Sequence, residues 1–108
     1  MSDHSSRVRS FEILEWRTVA KNTLRGFALV RQPSGMVIAD IGLHQREGKA
    51  WASPQSKPML DRDGRQMRDA DGKARWSNLI SFADRATQTT WSDAVVAAVR
   101  AQHPEALT

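Results

Sequence analysis

The chain of 108 residues has no cysteine and no tyrosine. Without thiols there are no disulfides and no thiolate metal sites, so the framework of a small oxidised secreted domain is excluded. No apolar run approaches the ~20 residues that a membrane-spanning helix needs. The first ten residues, MSDHSSRVRS, lack the apolar centre of a signal peptide. These absences lead to the expectation of a cytoplasmic protein with no membrane partner. Only four prolines and six glycines interrupt the chain, so each marks a boundary.

What is present is basic charge. Sixteen Lys and Arg against twelve Asp and Glu give a net charge of +4. Twelve of the sixteen cations are arginine, which suits bidentate contact with phosphate and stacking on bases. The surplus lies in residues 1–31 and 57–83, whereas residues 84–108 are slightly acidic. A solvated basic surface has the same composition, so charge becomes a footprint only when it gathers on one face.

The length suits one domain over residues 1–108. Residues 1–9 are expected to be a disordered tail. The segment from Phe11 to Val19 reads as a strand, with Phe11 and Ile13 on one face and Leu14 and Trp16 on the other. Lys21-Asn22 turns the chain into a second strand, Leu24–Arg31. There Leu24, Ala28 and Val30 share one face, and Arg25, Phe27, Leu29 and Arg31 the other. Gln32-Pro33-Ser34-Gly35 is a turn. Two apolar strands follow, Met36–His44 and Ala50–Ala52, joined at Glu47-Gly48 as a hairpin. Pro54 ends the returning strand because it offers no N–H to a ladder.

Residues 54–74 form a basic, flexible arm, PQSKPMLDRDGRQMRDADGKA, with no evident core of its own. It carries an internal echo: Asp61-Arg62-Asp63-Gly64-Arg65 against Asp69-Ala70-Asp71-Gly72-Lys73, each with an Asp-Gly turn signal. The segment Arg75–Phe82 reads as a fifth strand. A helix over 84–102 follows, N-capped by Asp84 and stopped by Pro104. Its apolar stripe is Trp91, Ala94, Val95, Ala98 and Val99. The expected fold class is α+β: an antiparallel sheet of about five strands with one C-terminal helix packed on one face. One helix leaves the other face of the sheet uncovered, and the strands carry apolar residues on both sides. A homodimer is therefore expected.

The candidate binding residues are the arm cations Lys57, Arg62, Arg65, Arg68, Lys73 and Arg75, which can track a phosphate backbone. The interleaved aspartates oppose that role and make a solvated loop the plainer reading. Trp51 and Trp76 flank the arm beside Lys49 and Arg75. A tryptophan next to a cation at a strand end can stack an unpaired base, or it can pack on the sheet or in a dimer seam. Trp91 falls in the helix stripe and belongs to the core.

The run Gly35-Met36-Val37-Ile38-Ala39-Asp40-Ile41, the turn with Gly48, then Ala50-Trp51-Ala52-Ser53-Pro54 and the basic Asp-Gly-bearing arm resembles the SpoVG family of bacterial regulators. The likeness spans roughly residues 24–100. It implies a small antiparallel sheet with a helix, dimerisation, and DNA or RNA binding. The chain departs from that family by a longer arm, an extra N-terminal strand and a tryptophan in strand five. The strand order followed by a helix also resembles the PC4/Whirly class of single-stranded-DNA binders, by layout alone.

No spacing fits an enzyme. His4, His44 and His103 are scattered, and no Ser/His/Asp or paired-carboxylate grouping is evident. The Asp-x-Asp-Gly repeats fail the calcium-loop register, since aligning either glycine puts methionine at the first ligand position. Neither a cofactor nor a metal is expected. The reading is a non-enzymatic binder of single-stranded DNA or RNA acting as a small dimeric regulator or DNA-processing accessory. The alternative is a protein-interaction module that uses the same uncovered face.

Overall fold

The computed structural model describes residues 10–107; the expected tail over 1–9 lies outside them. Four strands, β1 (Glu12–Lys21), β2 (Leu24–Arg31), β3 (Val37–Arg46) and β4 (Lys49–Ser53), form an antiparallel sheet in the order β1-β2-β3-β4. Two three-residue strands, β5 (Ser56–Pro58) and β6 (Trp76–Asn78), pair with each other in a separate small sheet. The helix α1 (Arg85–Gln102) packs on the four-stranded sheet. The α+β class and the single C-terminal helix are as the sequence implies.

Alternation along β2, and along β3 on either side of a bulge at Ala39-Asp40, turns Ala28, Val30, Ile38, Ile41 and Leu43 to one face. Ile13 of β1 and Ala52 of β4 join them, and Trp91, Val95, Val96, Ala98 and Val99 of α1 cover the layer. Val30, Ile41, Leu43, Val95 and Val99 are fully buried, each contributing about 1.5–3 kcal/mol by burial. Ser92 and Val96 are buried beside the expected stripe, and Ala94 is half-buried. The cap is where it was expected: Asp84 Oδ1 accepts from the Thr87 amide at 2.7 Å. That backbone hydrogen bond holds the Asp84 carboxyl below its ordinary pKa.

The helix also tends both edges of the sheet. Ser92 Oγ accepts from the Ala52 amide of β4 at 2.8 Å. At the other edge, Gln102 accepts from the Ile13 amide at 2.8 Å and donates to the Phe11 carbonyl at 3.1 Å. Edge groups that would otherwise invite another strand are thereby occupied.

Three expectations change. First, β1 pairs Ile13 with Val30 and Glu15 with Leu29, so Leu14 is an extra residue. This bulge reverses the alternation, and Trp16 packs with Ile13 against the core and stacks on His103 instead of facing away from it. Secondly, β2 pairs Leu24 with His44 and Gly26 with Leu43, so Arg25 is extra. Leu24 then lines the same cavity as Phe27 rather than sharing a face with Ala28 and Val30. Thirdly, the stretch expected as strand five contributes only Trp76–Asn78, and its partner is β5, not the main sheet. Ile80 and Phe82 pack on the core outside any strand, Phe82 tilted against Trp91 with ring centroids 5.1 Å apart.

The arm is hydrogen-bonded turn by turn. Beyond the β5–β6 stem the chain makes a three-way junction. The Met59 amide donates to the Arg75 carbonyl, the Met67 amide to that of Met59, and the Arg75 amide to that of Met67, at 2.8–2.9 Å. One hairpin leaves between Met59 and Met67, closed by the bridge Leu60–Gln66; a second leaves between Met67 and Arg75, closed by Arg68–Ala74. The internal echo is thus a structural repeat. Asp61 Oδ1 accepts from the amides of Asp63 and Arg65, and Asp69 Oδ1 from those of Asp71 and Lys73, at 2.9–3.0 Å in both copies. Gly64 and Gly72 each take φ +81°, a conformation that needs glycine at these tips. The described chain measures 56 × 30 × 25 Å.

Candidate nucleic-acid interface

The face of the sheet opposite α1 gathers the groups of interest. In-register pairs step along it from the β3–β4 turn: Arg46 with Lys49, His44 with Trp51, then Gly42 with Ser53 and, on the other side, Phe27. Phe27 in turn pairs with Arg17 of β1, whose guanidinium carbon lies 5.1 Å from the centre of its ring. That separation suits a cation–π contact. His44 and Trp51 stack with centroids 5.4 Å apart and planes 6° from parallel.

His44 is fixed at both nitrogens. Nδ1 lies 3.0 Å from Thr23 Oγ1 and Nε2 lies 3.1 Å from Ser53 Oγ. Burial lowers its pKa below the ordinary histidine value, so the ring is neutral at pH 7. The Ser53–His44 pair has the spacing of a nucleophile and its base. A threonine hydroxyl at Nδ1 cannot stabilise an imidazolium as a carboxylate does, so the geometry is that of an anchored aromatic ring and not of a catalytic triad.

A cavity of about 620 Å³ opens where the arm stem crosses this face. Arg17, Phe27, Asp40, His44 and Ser53 come from the sheet, and Gln55, Trp76 and Leu79 from the stem. Gly42 is its floor. A side chain there would meet Ser53 Oγ at 3.0 Å and His44 Nε2 at 3.2 Å, so glycine keeps the cavity open. Arg17, Phe27 and Asp40 also line a second concavity of about 270 Å³ alongside Glu15 and Leu29.

The sequence-predicted residues divide between two places. Lys49 and Trp51 lie on the uncovered face, and Trp76, 58% exposed, stands over the cavity. Lys57 sits in the stem opposite Ser77. Arg62 is in the tip of the first hairpin and Arg65 just beyond it. Arg68 and Lys73 belong to the second hairpin, where the Arg68 guanidinium donates to the Gly72 carbonyl at 2.9 Å. Arg75 lies at the junction. The arm cations are therefore distributed around a branched element and not aligned along one strand. All six are exposed.

Sequence reading missed Arg17, Phe27, Asp40, Gly42, His44 and Ser53. The alternation of β2 does place Phe27 away from the core. The neighbours of Phe27 depend on two bulges and on strand register, which no local pattern marks. Comparison of the chain with protein-family models, curated proteins and solved structures yields no match. Among the described residues, no helix is long and apolar enough to cross a membrane.

Proposed function

We propose that this protein binds single-stranded nucleic acid along the uncovered face of its sheet, with the branched arm as a second contact. The observation that carries this reading is the alternation of rings and cations on one face: Lys49 and Arg46, the His44–Trp51 stack, Phe27 under Arg17, and exposed Trp76. Unpaired bases stack on such rings at about 1–3 kcal/mol per base, and the cations follow the backbone. A duplex buries its base faces and gains nothing from them. The resemblance to SpoVG regulators supports the same class, as does the arginine bias. The role that follows is that of a small regulator or DNA-processing accessory without catalysis.

Assembly as a homodimer is part of the proposal. Met36 and Val37 are 58% and 50% exposed and Leu14 is 38% exposed. They lie at the end of the sheet where Glu12, Arg31 and Val37 pair across three strands. A monomer would leave these side chains in water, and light scattering at micromolar concentration is expected to give twice the chain mass. A monomer mass would remove this part of the proposal.

The binding test is a titration of labelled single- and double-stranded oligonucleotides at two salt concentrations. Single strands are expected to bind more tightly than duplex. With about three phosphate contacts, a fourfold rise in salt weakens binding ~16-fold. Replacing Arg62, Arg65 and Arg68 together by alanine is expected to flatten that dependence and leave folding intact. Absence of binding to either form at low salt would overturn the proposal.

A further inference from the structure

The least expected feature of the uncovered face is an acidic group that lines both of its concavities. Asp40 lies in the cavity between the sheet and the arm stem, and Glu15 is the second carboxylate nearby, in the adjoining concavity. A carboxylate repels phosphate, so this position is not explained by backbone contact. Its backbone is special too. Between the pairs Val30–Ile38 and Ala28–Ile41, β2 has one residue and β3 has two, Ala39 and Asp40. Asp40 is the bulged residue and takes φ +54°. A bulge re-aims a side chain that regular pairing would direct elsewhere, and the left-handed conformation at a non-glycine residue carries a cost.

The surroundings of Asp40 are specific. Gln55 Nε2 donates to Asp40 Oδ2 at 3.1 Å, which fixes the carboxylate in orientation. Among the described residues no hydrogen bond reaches Oδ1. Phe27 lines both concavities with Asp40, as does Arg17. The same short stretch of surface therefore presents an acceptor, an aromatic ring and a guanidinium, with the exposed indole of Trp76 across the cavity.

We infer that this cavity takes one unpaired guanine base. The inference rests on the single-strand reading above. Guanine offers two donors, N1–H and the N2 amino group, on its Watson–Crick edge, and two acceptors, O6 and N7, on the adjoining edge. A carboxylate accepts from the first pair, and a guanidinium donates to the second. Trp76, exposed across the cavity, supplies the ring face for the base plane, and Phe27 supports the Arg17 guanidinium that lies over it. Uracil and thymine present carbonyl oxygens on either side of a single N–H, and those oxygens oppose a carboxylate. Adenine and cytosine each offer one amino donor beside a ring acceptor, so they leave the carboxylate half-used and place a lone pair against it. Asp40 thus reads the base and rejects its competitors, and the cations of the face and arm hold the backbone without regard to sequence.

The test uses the whole chain and two labelled single strands about twelve nucleotides long, one all dT and one with dG at central positions. The dG-containing strand is expected to bind about tenfold more tightly, within the range of one good bidentate base contact. Asp40→Asn keeps a residue that tolerates the left-handed backbone and removes the charge. It is expected to reduce the preference to below about threefold with dT binding unchanged or slightly tighter; circular dichroism confirms its fold. Equal affinity for the two strands, or a preference that survives in Asp40→Asn, would overturn the guanine site and leave single-strand binding standing. If neither strand binds, guanosine and uridine monophosphates are titrated at millimolar concentration against the amide and indole signals of Gly42, His44 and Trp76. Shifts with the guanosine nucleotide alone would uphold the pocket without the strand-binding reading, and no shifts would overturn both.

Discussion

The body and the arm of this molecule are stabilised by opposite means. In the body, helix and sheet exclude water from a layer of valine, isoleucine, leucine and alanine with Trp91. In the arm, from Ser56 to Asn78, no residue is fully buried. Its shape is instead specified by main-chain hydrogen bonds, two aspartate-closed turns and glycines at positive φ. Hydrogen bonds in water contribute little net free energy each. Apolar burial is therefore concentrated in one region, and the other carries charge and turn chemistry. A binding element built the second way can present many cations without drawing on the core.

The body is the region most sensitive to a single substitution. Leu43 is fully buried between sheet and helix, and Leu43→Ala is expected to lower stability by about 2–5 kcal/mol. Urea denaturation of wild type and variant checks this. A change within error would place the stabilising core elsewhere.

The matching change in the arm has a local outcome. Gly64→Ala with Gly72→Ala imposes a side chain on two left-handed positions, at roughly 1–2 kcal/mol each. Amide exchange is expected to accelerate at Met59, Met67 and Arg75, whose ring of hydrogen bonds depends on the two hairpins. The melting temperature of the body is expected to stay nearly constant. A cooperative loss of the whole fold would show that the two regions are one unit.

A smaller effect sharpens the boundary between them. His44 is held neutral by burial. Its folded pKa lies below the unfolded value near 6.5. Above that pH both states are neutral and His44 leaves stability unchanged. As pH falls through the window between the unfolded and the folded pKa, the unfolded chain takes up the proton first and stability declines. Thermal melts from pH 7.5 to 5.5 are expected to show this decline in the wild type and less of it in His44→Gln. An equal slope in both would remove His44 as its source.

How much of this was legible in the sequence follows the same division. Segments whose pairing partner is next in the chain were readable. The Glu47-Gly48 hairpin, the Asp84 cap and the valine stripe of α1 each rest on residues within a few positions of one another. The Asp-Gly echo was visible as well, and it became two equivalent hairpin turns. What escaped was non-local. The bulges at Leu14, Arg25 and Ala39-Asp40 reset the alternation, so Trp16 turns towards the core and Leu24 away from it. The alternation of RWSNLISF points Trp76 to the main sheet, but Trp76 pairs with Pro58 of β5, 18 residues back along the chain. Arg17, Phe27, Asp40 and His44 come from three strands, and only the register between those strands assembles them.

A residue-by-residue map of the contact decides whether the uncovered face and arm bind a single strand. An oligonucleotide about twelve long is added to isotopically labelled protein, and amide and indole signals are followed by NMR. Shifts are expected at Arg17, Phe27, Gly42, His44, Trp51, Trp76 and the arm cations, with the solvent side of α1 around Asp93 and Arg100 unchanged. Shifts confined to α1, or none at low salt, would contradict binding by the face and arm.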